Sequence, residues 1–177
     1  MSIATDLTRD EALSGIVDAT ARAVAQDPAA AEVRFAARGT STGTVATDLE
    51  ARTHRWRVDE PASLGGQDGA ANPVEAALGA LLACQTVTYR FWAARLDIRL
   101  DGLELETEGD LDVRGFFGLD DAVRPGFGAV RLRVRLLGPE SAERYAELHR
   151  AVEEHCPVLD LFANPTPVTT TLVTGDW

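Results

Sequence analysis

The residues from Asn72 to Cys84 leave this chain few ways to fold. Asn72 suits an N-cap, Pro73 the first helical position, and Glu75 completes the spacing of a capping box. From Val74 to Cys84 the only charged residue is Glu75, and apolar residues occupy every side of the helical wheel. A helix apolar all round belongs at the centre of a core or of an oligomer. Continued to Arg95 it comes to about 22 residues, roughly 33 Å. One small domain has few layers with which to bury such a helix, so an intimate homodimer is the expected arrangement.

The flanking pattern is mixed. Residues 10–26 read as a helix with Thr8 and Glu11 as a capping box and Ile16, Ala19, Ala23 and Val24 as a modest apolar stripe. Residues 31–38, 43–49 and 52–59 read as three antiparallel strands in a meander, with turns at Gly39 and at Glu50-Ala51. The glycine-rich stretch 60–72 is a loop without the spacing or the lysine of a phosphate loop. Residues 98–114 predict one long strand or two, 116–126 a loop, and 127–137 a half-exposed strand. That strand's Arg131, Arg133 and Arg135 face carboxylates such as Asp110 and Asp112. Residues 141–155 predict an amphipathic helix with Tyr145, Leu148 and Val152 inside. Cys156-Pro157 breaks it, and 166–174 reads as a final strand. Helices and strands in this order indicate an α+β fold with antiparallel sheets around a long buried helix.

Charge and composition remove several function classes. The net charge is −11, which argues against nucleic acid and anionic membrane surfaces as partners. All 17 basic residues are arginine, so mechanisms that need a lysine amine are excluded. The longest apolar run, 76–84, is too short to span a bilayer. Residues 1–8 lack a basic stretch leading into an apolar run, so no export signal is expected and a cytoplasmic location is. Two cysteines and three histidines without metal-ligand spacing predict neither a metal site nor a cofactor.

The two cysteines stand in different settings. Cys84 lies inside the apolar helix, where free cysteine behaves as a small hydrophobe. Cys156 precedes Pro157 at a helix break, where its sulfur is placed to meet the unpaired N–H groups of the turn 157–162. From these residues alone two readings stand open, a pair of structural cysteines or a redox pair. Among the histidines, His155 neighbours Cys156 and suits the helix dipole, while His54 and His149 carry no site pattern. Phe91 and Trp92 are read as core that also borders the Cys84 region.

Asp59-Glu60-Pro61, Leu64-Gly65-Gly66, Asn72-Pro73-Val74-Glu75 and Ala80-Leu81-Leu82-Ala83-Cys84, followed by Cys156-Pro157-Val158, together resemble the OsmC/Ohr family of osmotically inducible and organic hydroperoxide resistance proteins. The match is nearer to its less characterised OsmC-like branch. It covers residues 31–177 in element order and leaves 1–30 as an N-terminal helical extension. The resemblance implies a swapped homodimer with two central helices crossing in the core and two sites at the subunit interface. It also implies a thiol-dependent peroxidase for organic hydroperoxides, with Cys84 forming a sulfenic acid that Cys156 resolves. The disulfide would be reduced by a dithiol such as a lipoylated protein.

A thiol buried in an apolar helix needs a nearby cation to ionise, and an arginine keeps its charge when desolvated. Arg57, on the strand nearest the motif, is the candidate, with Glu60 as the carboxylate that holds it. Peroxidase members carry a Glu directly after the Asn-Pro, and this chain has Val74 there, with Glu75 turned to capping. That substitution favours the alternative, a non-catalytic OsmC-like dimer that binds a small ligand or senses redox state.

Overall fold

The structure is a computed structural model of the chain. It describes residues 3–175, with side chains from residue 10 onward. Helix α1 (Ile3–Gln26) leads to a 3-10 turn at Pro28–Ala31, capped by the Asp27 carboxylate on the Ala29 N–H. Strands β1 (Arg38–Thr42), β2 (Ala46–Ala51) and β3 (His54–Val58) form an antiparallel meander. Helix α2 (Pro73–Arg95) follows, then β4 (Gly102–Asp110), a single helical turn α3 (Val113–Phe116) and β5 (Ala129–Leu137), with β4 and β5 paired antiparallel. Helices α4 (Ala142–His155) and α5 (Pro157–Ala163) meet at Cys156. The expected α+β architecture with antiparallel sheets is present.

Helix α2 starts as its sequence dictates. The Asn72 side chain accepts the Glu75 N–H at 2.8 Å while the Glu75 carboxylate accepts the Asn72 N–H at 2.9 Å, with Pro73 in the first turn. One side of α2 is buried through Leu81, Gln85, Thr88, Tyr89 and Ala93. The core proper is the contact of Tyr89 and Ala93 with Ile98, Leu100, Leu148 and Val152, flanked by Leu103, Leu105, Val134 and Leu136 from the inner face of the β4–β5 ribbon. The opposite side of α2 remains open in the single chain: Gly79, Ala80, Ala83 and Thr86 are exposed, and Val87 is 55% exposed.

On the ribbon's outer face Arg131 pairs with Glu108 and Asp110, both at 2.6 Å, Arg135 with Glu104 at 2.9 Å and Arg133 with Glu106 at 3.5 Å. Asp110 therefore pairs as expected. Asp112 does not reach this face, because it caps α3 and holds Arg114 at 2.6 Å.

Several boundaries differ from the sequence reading. Helix α1 begins at Ile3, so Thr8 lies within it and no N-cap stands there; the Thr8 side chain lies outside the described residues. The meander is displaced along the chain: its turns fall at Gly43 (φ 59°) and Arg52 (φ 55°), while Gly39 sits inside β1 opposite Leu49. Residues 32–37 and 164–174 carry strand-like composition but no regular structure. Neither sheet of the chain pairs with them, and their apolar side chains stand in the open, Phe35 and Leu172 each 89% exposed.

Candidate active site at Cys84 and Cys156

The fold brings the two cysteines together. Cys84 sits midway along α2 and is partly exposed; Cys156, at the α4–α5 junction, is 2% exposed. The two thiols are near enough for Cys156 to act on the ionisation of Cys84. Cys156 is held there by its backbone: its N–H donates to the Val152 carbonyl and its carbonyl accepts the Asp160 N–H, both at 3.0 Å, closing α4 and opening α5 in one residue.

The sequence places the free N–H groups of α5 at the Cys156 sulfur, and the structure places one elsewhere. The Cys156 side chain makes no capping bond. Pro157 has no N–H to give, and the next donor, Val158 N–H, acts on Cys84, whose thiol pKa it lowers. The Thr88 hydroxyl, one turn along α2, donates to the Cys84 carbonyl at 2.8 Å and lowers the Cys84 thiol pKa. Burial pushes the Cys84 thiol above the ordinary thiol range and the adjacent Cys156 thiol adds to this, while Val158 N–H and Thr88 pull the other way. None of these groups is a cation.

Arg57 and Glu60 are not among the groups that act on Cys84 within one chain. Arg57 makes a two-bond ion pair with Asp48 across the meander, at 2.7 and 3.0 Å. It does not pair with Glu60, whose Oε2 is buried without a partner among the described residues. The residue that organises this region is Asp59, which is buried and accepts the backbone N–H groups of Glu60 (2.9 Å), Gln67 (3.0 Å) and Gly69 (3.1 Å). Those donors hold its carboxyl below the usual carboxylate range. The loop closes so tightly that a Cβ at Gly66 would come within 1.7 Å of the Glu60 carbonyl oxygen, so only glycine fits there.

Tyr89 is fully buried and hydrogen-bonds His149 Nδ1 at 2.5 Å, and His149 Nε2 lies 3.6 Å from Glu153. Burial, with Glu153 and Cys156 adding to it, pushes the phenol pKa far up, so the hydroxyl stays protonated. Trp92 packs on the His155 ring at 4.3 Å, and His155 Nδ1 meets the Ala151 carbonyl at 2.7 Å. Sequence reasoning missed both Thr88, which its place one helical turn from Cys84 could have signalled, and Val158, which acts through its backbone. A cleft of about 700 Å³ between α1 and the end of α2, lined by Asp10, Asp18, Ala93 and Asp97 among others, holds neither cysteine. Among the described residues no group of three or more His, Cys, Asp or Glu side chains is placed to hold a metal ion, and no helix is long and apolar enough to cross a membrane.

A family description, OsmC-like protein, matches residues 66–171, a stretch that runs from before α2 through α5 and spans both cysteines. The chain belongs to the OsmC-like family. Its fold is similar to that of an OsmC-like protein from Mycoplasma pneumoniae, with a TM-score of 0.66 at 16% identity over 75% of this chain and 89% of that one. An organic hydroperoxide resistance protein OsmC from Legionella pneumophila superposes with a TM-score of 0.57 at 23% identity, over 75% of this chain and 90% of that one. An organic hydroperoxide resistance protein from Elizabethkingia anophelis gives 0.57 at 19% identity, over 73% and 88%. Identities this low establish a shared OsmC-like fold and nothing finer. No match was found among curated protein sequences.

Proposed function

We propose that this OsmC-like protein is a thiol-dependent peroxidase for organic hydroperoxides, working as a homodimer. The observation that carries the reading is the meeting of the Cys84 and Cys156 thiols, 72 positions apart in sequence. The Cys84 thiolate attacks the terminal oxygen of the hydroperoxide; an S–O bond forms, the O–O bond breaks, and the alkoxide takes a proton and leaves as the alcohol. Cys84 is then a sulfenic acid. The Cys156 thiolate attacks its sulfur, an S–S bond forms, and the departing hydroxide takes a proton to become water. An external dithiol reduces the disulfide by exchange and is itself oxidised to a disulfide.

A second chain supplies what the first lacks. The thiol of Cys84 is pushed up by burial, and the neutral donors Val158 N–H and Thr88 do not offset this. In the proposed dimer Arg57 reaches Cys84 from the partner sheet and exchanges its exposed Asp48 for the thiolate, with Glu60 beside it. Support for association lies in the open apolar side of α2, with Ala80, Ala83 and Val87, and in the unpaired segments 32–37 and 164–174.

A second reading is favoured by one specific observation. Val74 stands where peroxidase members carry a Glu, and Glu75 is fully used in the capping box. A dimer without that carboxylate would bind a small ligand or report redox state without turnover. Consumption of cumene hydroperoxide with a dithiol reductant, in the natural chain and in Cys84→Ser, separates the two. Turnover that vanishes in the variant supports the peroxidase; equal background rates in both retire it.

A further inference from the structure

Gln85 is the most anomalous side chain of the molecule. It is 1% exposed, and neither its Oε1 nor its Nε2 has a hydrogen-bond partner among the described residues. Its polar neighbours on the buried side of α2 are satisfied: Thr88 donates to the Cys84 carbonyl and Tyr89 bonds His149. A buried amide with both ends unpaired is strongly disfavoured, so its retention calls for a partner beyond the groups of the single chain.

Its position identifies that partner. Cys84 meets Cys156, and five residues further along α2 Tyr89 meets His149, seven residues before Cys156. Helix α4 therefore runs antiparallel along α2. Gln85, one residue past Cys84, is buried on the same side of α2 as Tyr89 and lies between these two crossings along the helix and around it. A second subunit covering Ala83 and Val87 does not reach it, because those residues lie roughly 160° around the helix. The group that appears beside the cysteines during the proposed reaction is an oxygen on sulfur. A sulfenic acid has one donor and one acceptor, matching the one Nε2 donor group and one Oε1 acceptor left idle in the dithiol state.

We propose that the Gln85 amide binds the sulfenic acid oxygen of Cys84, prolonging that intermediate and shielding it from further oxidation. This rests on the peroxidase reading. The test uses Cys156→Ala, in which a Cys84 sulfenic acid has no resolving thiol, with Gln85 intact or changed to Met, which keeps the length and removes the hydrogen bonds. One equivalent of cumene hydroperoxide is added, and the sulfenic acid is trapped with dimedone at intervals and weighed by mass spectrometry. Loss of one hydrogen bond shortens its half-life about tenfold in the Met variant. The reduced Met variant melts no lower than its parent, since the amide had no bond to lose.

Gln85→Glu, whose carboxyl when buried and neutral keeps a donor and an acceptor, restores the half-life and guards against a packing effect of Met. Half-lives within twofold across the three proteins overturn the inference. So does a reduced Met variant that melts several degrees lower, because the amide would then already be bonded. If Cys156→Ala with Gln85 intact yields no sulfenic acid, the peroxidase reading itself fails and this inference falls with it.

Discussion

Oxidising the chain tests the central geometric claim, that α2 and the α4–α5 junction hold two thiols against each other. One equivalent of hydroperoxide is expected to convert Cys84 and Cys156 into an intrachain disulfide. The 72 positions between them close a long loop, and the chain-entropy relation for a loop of that length gives a stabilisation of about 4 kcal/mol. For a chain of 177 residues this raises the melting temperature by on the order of 10 °C, before any strain in the bridge is subtracted. The assay is calorimetry of the reduced protein, the oxidised protein, and the oxidised protein returned to dithiothreitol, all at one concentration so that association does not shift the midpoints. Mass spectrometry under non-reducing conditions assigns the bridge. Cys84→Ser is expected to show no shift on the same treatment. The reasoning is refuted if oxidised protein melts no higher than reduced protein, or if the disulfide links two chains, since both results mean the thiols do not meet as the fold places them.

Asn72→Ala removes one half of the capping box and is expected to cost about 1 kcal/mol in urea unfolding. Glu75→Gln keeps the cap and leaves hydroperoxide turnover unchanged; a loss of turnover would show Glu75 to be more than a cap. Leu148 is fully buried between α2 and the β4–β5 ribbon, so Leu148→Ala is expected to cost about 2–5 kcal/mol by the same assay. Asp59 has its pKa held down by three backbone N–H groups, so its stabilisation is present at neutral pH and is lost as pH falls through its depressed pKa. Asp59→Asn is expected to flatten that acid limb and to speed hydrogen exchange at the Gln67 and Gly69 amides; an unchanged acid limb counts against the role assigned to it.

What the sequence showed and what it hid divide along a physical line. Side-chain patterns were legible: the cap at Asn72, the end of α2 at Arg95, the alternation that puts Arg131, Arg133 and Arg135 outside, and the amphipathic α4. Strand positions in the meander were not, because a period-two pattern stays the same when a turn slides. Gly39, expected as a turn, serves β1 by leaving room for Leu49, whose Cδ2 would lie 3.2 Å from any Cβ placed there. Residues 166–174 have the β-branched composition of a strand, yet a strand exists only where another backbone pairs with it. At the site the cysteines were legible and their chemistry was inverted in one detail. The N–H expected at Cys156 goes to Cys84, because Pro157 removes the first donor of α5 and moves the free amide one residue on.

That displacement ties reactivity to assembly. Val158 N–H and the Thr88 hydroxyl favour a thiolate at Cys84, yet burial outweighs them and holds the thiol protonated in the single chain. The missing element is a positive charge, and the arginine the sequence offers, Arg57, is on the meander, engaged with Asp48. The same meander carries Trp56 half exposed on its apolar face, opposite Leu49 in register, and the far side of α2 shows Ala80, Ala83 and Val87 to solvent. The apolar surface left uncovered and the charge held only by an exposed ion pair thus belong to the two elements that association would bring together. Under the proposed reading, docking a second meander on the open side of α2 buries that apolar surface and delivers the guanidinium to the thiol in one step. A lone chain would keep an unreactive cysteine, and the thiolate would form where its resolving partner and the enclosed Gln85 amide are already in place.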